Sequence, residues 1–272
     1  MASFKPFVLA KVMPGTLQEA EAWVEEKAAA GNFEVAGKAS PFDGVTVFAI
    51  TNDSQKAFAA KSKCGGFGVC LRVACTLRGD SVEISYTHPG YMACAYRMEG
   101  NNEEMTALMS ETFGATQEFG TSKPLTEKKL RKYHYKLGMP YFNEPVTLAS
   151  HGSFASAVEA VEEGLGKGLA GCSKVFRVDV PGKDEAVFGV TLGDGYSDAK
   201  IMHSIDVGTP KHSPHMFYEI LVTGKYCITL NAKFRIAISW PDLDMVGSHS
   251  FGSIMTCPQD IEKMLKKVAA NK

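Results

Sequence analysis

The sequence predicts an α+β fold made of two related α/β-sandwich-like halves that form a pseudo-dimer. Three observations support this fold class: an internal repeat, strand-like alternation of apolar and polar residues, and amphipathic helices that close each half. Each half reads as strand, helix, strands and helix. With 272 residues, of which 45% are hydrophobic, the chain can form two domains with real cores. The predicted parts are a domain over 1–113, a helical and aromatic connector over 114–145, and a second domain over 146–272.

The repeat is clearest near the start of each half. Gly15 aligns with Gly152, a shift of 137 residues, and both surrounding segments read as a strand, a glycine turn and a helix. Thr16 is a good helix N-cap, and Glu19 completes a capping box with it. Ser153 is the matching cap in the second half. The two helices are therefore predicted to begin in the same way.

The ends of the halves also agree. Residues 82–86 and 235–240 alternate apolar and polar side chains, which predicts a half-buried strand in each half. Aligning these strands raises the shift to 154 residues, so the second half is predicted to carry about 17 extra residues. The segment 202–216, with its glycine and two prolines, is the predicted inserted loop. A helix then closes each half, with apolar residues at 105, 108 and 109 and at 261, 264, 265 and 268.

The first half resembles domain-of-unknown-function family 302. The segments that carry the resemblance are VTVFAI at 45–50, the alanine-rich 57–61, the strand pair 68–77 and VEISYTHPGYMACAYRM at 82–98. The second half resembles a more divergent copy through RIAISWPDLDM at 235–245. The resemblance implies a compact α+β fold that tends to self-associate, and no agreed reaction. Where the family often has a Gly-Asn-Pro-like turn, this chain has Thr51-Asn52-Asp53.

Composition argues against several classes of protein. There are 29 Lys and Arg against 30 Asp and Glu, a balance that argues against nucleic acid as the main partner. No run approaches the ~18 apolar residues of a membrane span, and the first residues lack the apolar stretch of a signal peptide. The seven cysteines contain no CxxC pair. We therefore expect a cytoplasmic protein with reduced thiols, no membrane association and a capacity to form homo-oligomers.

Three histidines of the predicted inserted loop form the first candidate site. His203, His212 and His215 lie there with Asp206 nearby. Imidazoles and a carboxylate are suitable ligands for zinc or iron, and they also suit acid–base chemistry near neutral pH. The alternative is that these side chains are merely solvated.

The glycine-rich turn KCGGFGVC is the second candidate site. Its Cys64 and Cys70 could hold a metal, or expose a thiol whose pKa is lowered by Lys61 and Lys63. The alternative is that both are buried packing residues, which is common for free cysteine. The glycines themselves could hold an anion on backbone amides or simply form a tight connection.

A third candidate site is a cofactor-binding surface built from aromatic residues. His88 and Tyr91 follow the last strand of the first half, beside a Pro-Gly pair that is also typical of a plain turn. Tyr133, His134 and Tyr141 crowd the connector. They could line an apolar pocket between the halves, or they could dock the connector onto the domains.

The leading hypothesis is a small-molecule or cofactor-binding protein with its site between the two halves. One alternative is an enzyme that uses a metal held by the histidine loop or a reactive thiol of the Cys64–Cys70 turn. A further alternative is a non-catalytic assembly protein. The sequence names no cofactor, and a transition metal and a bound small molecule are the two candidates.

Overall fold

The computed structural model describes residues 2–193 and 198–272 and has the predicted α+β fold. Its strands form two antiparallel sheets, one of six strands and one of five. Helices pack against both sheets, and a two-stranded ladder ties the N-terminus to the connector.

The first half runs from the N-terminus to helix α4. Its strands are β1 (Ser3–Phe4), β2 (Phe7–Pro14), β3 (Glu34–Phe42), β4 (Val45–Thr51), β5 (Leu71–Arg78) and β6 (Ser81–Thr87). Its helices are α1 (Leu17–Ala30), α2 (Asp53–Ala60), α3 (Pro89–Ala95) and α4 (Glu103–Phe113), with a 3-10 turn at Gly65–Gly68.

The connector holds β7 (Gln117–Phe119), β8 (Leu125–Thr126) and α5 (Glu127–Leu130). The strands of the second half are β9 (Val146–Ser150), β10 (Ser173–Asp179), β11 (Glu185–Thr191), β12 (Tyr218–Thr223) and β13 (Tyr226–Thr229). Its helices are α6 (Phe154–Gly166), α7 (Asp198–Ile205), α8 (Ala232–Ser239) and α9 (Cys257–Ala270), with 3-10 turns at Leu169–Gly171, Ser213–His215 and Phe251–Ile254.

The two sheets share one strand order. The first runs β3-β4-β5-β6-β2-β7 and the second β10-β11-β12-β13-β9. If the strands β2–β6 and β9–β13 are each numbered from one to five along the chain, both sheets have the order 2-3-4-5-1. Strand β7 extends the first sheet beyond β2. The pairs β3–β4, β5–β6, β10–β11 and β12–β13 are hairpins with short loops, whereas longer segments that contain helices join β4 to β5 and β11 to β12.

The sheets also share their irregularities. Ala36 interrupts the register between β3 and β4, and Val175 interrupts the register between the corresponding strands β10 and β11. Ala10 bulges from β2 against β6, as Leu148 bulges from β9 against β13. A bulge adds one unpaired residue and bends its strand, so shared bulges mean shared local curvature.

The predicted helix starts are confirmed. Thr16 Oγ1 accepts the N–H of Glu19, whose carboxylate accepts the N–H of Thr16, which makes a complete capping box. Ser153 caps α6 in the same way with Ser156 as its partner. The predicted apolar stripes of α4 and α9 are also largely buried, at Met105 and Met109 and at Ile261, Met264, Leu265 and Val268.

The first sheet has an apolar core on each face. Val8 and Phe48 belong to a core with α1 and α4, whereas their neighbours Phe7 and Val47 belong to a core shared with the second half. The 3-10 turn Gly65–Gly68 lies against β11 and β12, and Ser213–His215 lies against β4, β5 and β6. Each half therefore inserts its own turn against the sheet of the other.

A buried ion pair joins the two halves. Arg72 Nη2 lies 2.5 Å from Glu219 Oε1, and both side chains are almost wholly buried. Arg72 is the second residue of β5, and Glu219 is the second residue of the corresponding strand β12. Burial is the largest single effect and lowers the pKa of Arg72, but the charge of Glu219, the hydrogen bond to it and the nearby Tyr96 and Cys70 together raise the pKa by more. Two matching positions thus meet at the centre of the junction.

The predicted strand at 235–240 is wrong. These residues form most of α8, which follows β13 as α3 follows β6. Asn231 caps α8 with its side-chain oxygen, as His88 caps α3 with its ring nitrogen. Every residue from Phe234 to Trp240 is buried, so the helix lacks the polar face that gives a 3.6-residue period. The short alternating run was therefore mistaken for a strand.

Two further expectations about irregular segments need correction. The second half does not carry about 17 extra residues: the helix caps His88 and Asn231 lie 143 residues apart, six more than the 137 between Gly15 and Gly152. The chain between β11 and β12, residues 192–217, is seven residues longer than the corresponding chain at 52–70. The predicted loop 202–216 includes the end of α7 and a 3-10 turn. In the connector, the helix predicted over 125–137 is the single turn α5, because residues 125–126 instead pair with β1.

Candidate ligand-binding site

Cavities lie at several places where the two halves and the connector meet. The connector cavity is lined by Ser62, Lys63, Cys64, Phe67, Arg97, Glu99, Phe142, Asn143, Pro145 and Leu230. The hairpin cavity is lined chiefly by the β3–β4 hairpin, the end of β5 and the end of α7. The third, the Ser122 cavity, includes Lys5, Thr121, Ser122, Thr209, His212 and Asp242.

The connector cavity has apolar walls from three separate parts of the chain. Phe67 comes from the glycine-rich turn, Phe142 from the connector and Leu230 from the end of β13, and all three are buried. The volume of about 340 Å³ lies at the lower end of the range of small-molecule sites. A cavity of this kind can take up an apolar group and remove it from water.

The mouth of the connector cavity is cationic. Lys63 and Arg97 line it against the single carboxylate of Glu99. The Arg97 guanidinium lies 6.0 Å from the centre of the Tyr141 ring, which stacks on His134 at 4.3 Å. His134 and Tyr141, two of the predicted cofactor-binding residues, therefore lie beside this mouth. They do not line the connector cavity itself but a separate cavity of about 500 Å³ between the connector and the start of α8.

Two residues of this cavity have a left-handed backbone. Cys64 has φ of 54° and Arg97 has φ of 50°. Such a backbone costs a residue with a side chain about 1–2 kcal/mol, and it occurs disproportionately at functional sites. In the described residues, the other non-glycine residues with positive φ are Asn32, Asn102, Ala170 and Asn271. Asparagine adopts this conformation readily, so the strained residues are Cys64, Arg97 and Ala170, and two of these three line the connector cavity.

The thiols are protonated rather than reactive. Burial raises the pKa of Cys64, and the nearby Glu185 raises it further, while Lys63 and Lys183 only partly oppose them. Cys70 is fully buried and its pKa is also raised, chiefly by burial. Burial likewise raises the pKa of the other five cysteines, Cys75, Cys94, Cys172, Cys227 and Cys257. A lowered thiol pKa beside the lysines, which the sequence suggested, is therefore absent.

In the second half, the place that corresponds to Arg97, the corner after α8, is filled by aromatic side chains. Trp240 lies nine residues after the N-cap of α8, as Arg97 lies nine residues after the N-cap of α3. The Trp240 ring is buried and stacks on His212 at 5.1 Å and edge-on against His215 at 4.7 Å. Where the first half has a cation and a cavity, the second half has three packed rings.

The predicted metal ligands do not converge. His203 lies edge-on to Phe42, at 4.9 Å, whereas the half-buried His212 and the buried His215 pack beside Trp240. Burial lowers the pKa of His212 to about 4 and that of His215 well below its ordinary value, so both are neutral. Within residues 2–193 and 198–272, no group of three His, Cys, Asp or Glu side chains is placed to hold a metal ion. The histidines instead pack the junction.

Three of the predicted cofactor-binding residues have structural partners. The Tyr91 hydroxyl donates to the Ile238 carbonyl and the Tyr133 hydroxyl to the Ala237 carbonyl, both at 2.8 Å. These bonds satisfy carbonyls at the C-terminal end of α8.

Both ring nitrogens of His88 also have partners within the protein. Its Nδ1 accepts the backbone N–H groups of Gly90 and Tyr91 at the start of α3. Its Nε2 lies 3.6 Å from Glu118 Oε1 beside a separate cavity of the first half. His88, Tyr91 and Tyr133 therefore do not join His134 and Tyr141 at one site.

The sequence reasoning missed Arg97, Phe67 and Leu230. A usable signal lay in the strands: residues 47–51 read VFAIT and residues 187–191 read VFGVT. These segments occupy matching places in β4 and β11. An alignment of the two halves on these segments would have paired α3 with α8, and so Arg97 with Trp240.

No family model, curated protein or solved structure matches this chain. The resemblance to domain-of-unknown-function family 302 therefore stays a prediction. Among the described residues, no helix is both long enough and apolar enough to cross a membrane.

Proposed function

We propose that this protein binds a small anionic molecule with an apolar body in the connector cavity. The observation that carries the proposal is one cavity built by both halves and the connector, with apolar walls and a cationic mouth. Ligand sites commonly combine apolar surface, which supplies affinity, with a few polar groups that fix the orientation.

The charges and the volume define the ligand class. Lys63 and Arg97 outweigh Glu99 at the mouth, which favours a carboxylate, sulfonate or phosphate group there. Phe67, Phe142 and Leu230 favour an apolar or aromatic body inside. A volume of about 340 Å³ suits a molecule the size of a substituted aromatic acid.

We also propose that the two halves are diverged copies packed as a pseudo-dimer, as the resemblance to domain-of-unknown-function family 302 implies. Their shared strand order, bulges and helix caps support this. The meeting of Arg72 and Glu219, matching residues at the junction, is the arrangement that a two-fold axis requires. Divergence then left one corner open for a ligand and filled the other.

The test uses 8-anilinonaphthalene-1-sulfonate, an aromatic anion whose fluorescence rises when it leaves water. We expect saturable binding at one site. Arg97→Gln should weaken it about ten-fold, because one charge-assisted contact is lost. Asn143→Trp, an exposed position on the cavity wall, should weaken it by covering the mouth.

Arg177→Gln is the matched control, since Arg177 is a partly exposed arginine of the second half that lines none of the three cavities. It should bind the probe as the unaltered protein does. Unsaturable binding, or equal affinity in all variants, would contradict the proposal. A mass spectrum of protein purified from its native source, under native and denaturing conditions, then identifies the physiological ligand.

A further inference from the structure

The hairpin cavity is a second space between the halves and shares no lining residue with the connector cavity. It has a volume of about 400 Å³. The first half supplies Phe42 and Val45 from the β3–β4 hairpin, and the second half supplies Met202 from α7. Its wall also has these polar side chains: Asp43, Thr76, Arg78, His203, Asp206, Lys211 and Ser213. Thr76 and Ser213 hydrogen-bond to each other.

The corresponding hairpin of the second half makes a closed contact instead. The ammonium of Lys183, between β10 and β11, donates to the carbonyl of Ser62. The Glu185 carboxylate accepts the N–H of Gly66 at 3.4 Å. Side chains of the β10–β11 hairpin thus hydrogen-bond directly to the backbone of Ser62 and Gly66 in the first half. The β3–β4 hairpin leaves space at the equivalent place.

The open cavity has more hydrogen-bond donors than its protein contacts use. Arg78 donates from Nη2 to Thr209 Oγ1 at 3.1 Å, and its Nε lies 3.9 Å from Glu83. The Lys211 ammonium donates to the backbone carbonyl of Asp206. A guanidinium carries five N–H donors and an ammonium three, so several remain for a ligand. Unused donors favour a ligand rich in acceptor oxygens.

Asp206 lies in the wall of this cavity, but its carboxyl is directed into the protein. Its side chain is 5% exposed, and its Oδ2 accepts the N–H of His212 at 3.0 Å. Its Oδ1 has almost no accessible surface, and the indole N–H of Trp240 lies close enough to lower the pKa of the carboxyl. Asp43, from the β3–β4 hairpin, is exposed and supplies a carboxylate that a ligand can reach. His203, in the last turn of α7, lines the same cavity.

We propose that the hairpin cavity binds a small oxyanion that also carries a hydroxyl group, such as a phosphate ester or a hydroxycarboxylate. Arg78 and Lys211 donate to the oxyanion, and Asp43 and His203 contact the hydroxyl. This site is independent of the connector cavity, because a different set of residues builds it.

The experiment measures binding by titration calorimetry with four probes: glycerol 3-phosphate, methyl phosphate, malate and succinate. We expect saturable binding of glycerol 3-phosphate or malate, and which of the two binds tells a phosphate ester from a hydroxycarboxylate. The analogue without the hydroxyl should bind about ten-fold more weakly, since it loses the hydrogen bonds to Asp43 and His203.

Arg78→Gln should weaken the bound probe at least about ten-fold. Lys225→Gln is its matched control, because Lys225 follows Thr223 of β12 by two residues as Arg78 follows Thr76 of β5, and it is exposed. Lys225→Gln should leave the affinity unchanged.

A blocking variant covers the case in which Arg78→Gln disturbs folding. Val207 lines the cavity and is 58% exposed, so Val207→Trp should cover the mouth and abolish binding without loss of the fold. Val246, 83% exposed and outside this cavity, gives the control Val246→Trp. The proposal is overturned if neither hydroxylated probe binds, or if Arg78→Gln and Val207→Trp bind as tightly as their controls.

Discussion

The segments that follow α3 and α8 occupy corresponding places in the two halves, but one lines an open cavity and the other is tightly packed. In the first half, Arg97 faces solvent beside an apolar cavity. In the second half, Trp240 is buried between His212 and His215. The difference indicates that one fold can carry either a packed corner or an open cavity, and that a few side chains decide which. The second half therefore serves as an internal reference for the site in the first.

The packed corner should be opened by removing its largest ring. Trp240→Ala should lower the free energy of unfolding by about 3–5 kcal/mol, because a buried ring is replaced by a cavity. Added indole should restore part of that loss by filling the space, and urea denaturation with and without indole measures both effects. Trp23→Ala is the control: Trp23 is only partly buried, so indole should not rescue that variant. Equal rescue of both would refute a specific cavity.

The ion pair at the centre of the junction should be as sensitive as the packed corner. Arg72→Leu leaves Glu219 charged and buried without a partner, which should cost about 3–5 kcal/mol. The double variant Arg72→Leu with Glu219→Leu removes both charges and should be clearly more stable than the single variant. Denaturant unfolding of the three proteins gives the comparison. A double variant as unstable as the single one would mean that packing, not charge, dominates there.

A smaller effect is expected from Asp206 and depends on pH. Burial raises its pKa from 3.8 to about 7, so the folded state holds a proton that the unfolded state releases. The contribution of Asp206 to the free energy of unfolding is therefore fully present below about pH 4 and is lost as the pH rises to about 7.

The variant Asp206→Asn removes this dependence while keeping an oxygen for the His212 N–H. Relative to the unaltered protein, it should gain about 2–3 kcal/mol of stability between about pH 5 and pH 8. The difference between the two proteins isolates Asp206, because Asp198 and His212, whose pKa values are also shifted, are present in both. A difference that stays constant with pH would show that Asp206 has an ordinary pKa.

Local sequence signals predicted the parts of the fold that depend on neighbouring residues. The capping box of Thr16 and Glu19 is such a signal, and so are the stripes of α4 and α9. Helix α8 was missed because burial on all sides removes the polar face that identifies a helix. Its few alternating residues are also short enough to suit a strand.

The candidate site was harder to predict because it depends on contacts between distant segments. Cys64, His134 and Tyr141 were identified from residue type, and they lie in or beside the connector cavity. Arg97 and Leu230 carry no motif, and only the packing of the halves brings them together. The histidines of 202–216 were attractive as ligands by type, but neutral imidazoles also pack well in a core.

The smallest predicted effect tests whether the first corner is strained for function. Arg97 has a left-handed backbone that glycine adopts freely, so Arg97→Gly should raise stability by up to about 1 kcal/mol, the relief of strain exceeding the added unfolded-state entropy. Ala107→Gly, at an exposed position inside α4, should instead lower stability by about 1 kcal/mol. If Arg97→Gly gains stability yet loses the anionic probe, the first half keeps a costly backbone because the ligand needs it. If Arg97→Gly instead loses stability, contacts of the Arg97 side chain outweigh the strain of its backbone. The two corners then differ only in which side chains fill them.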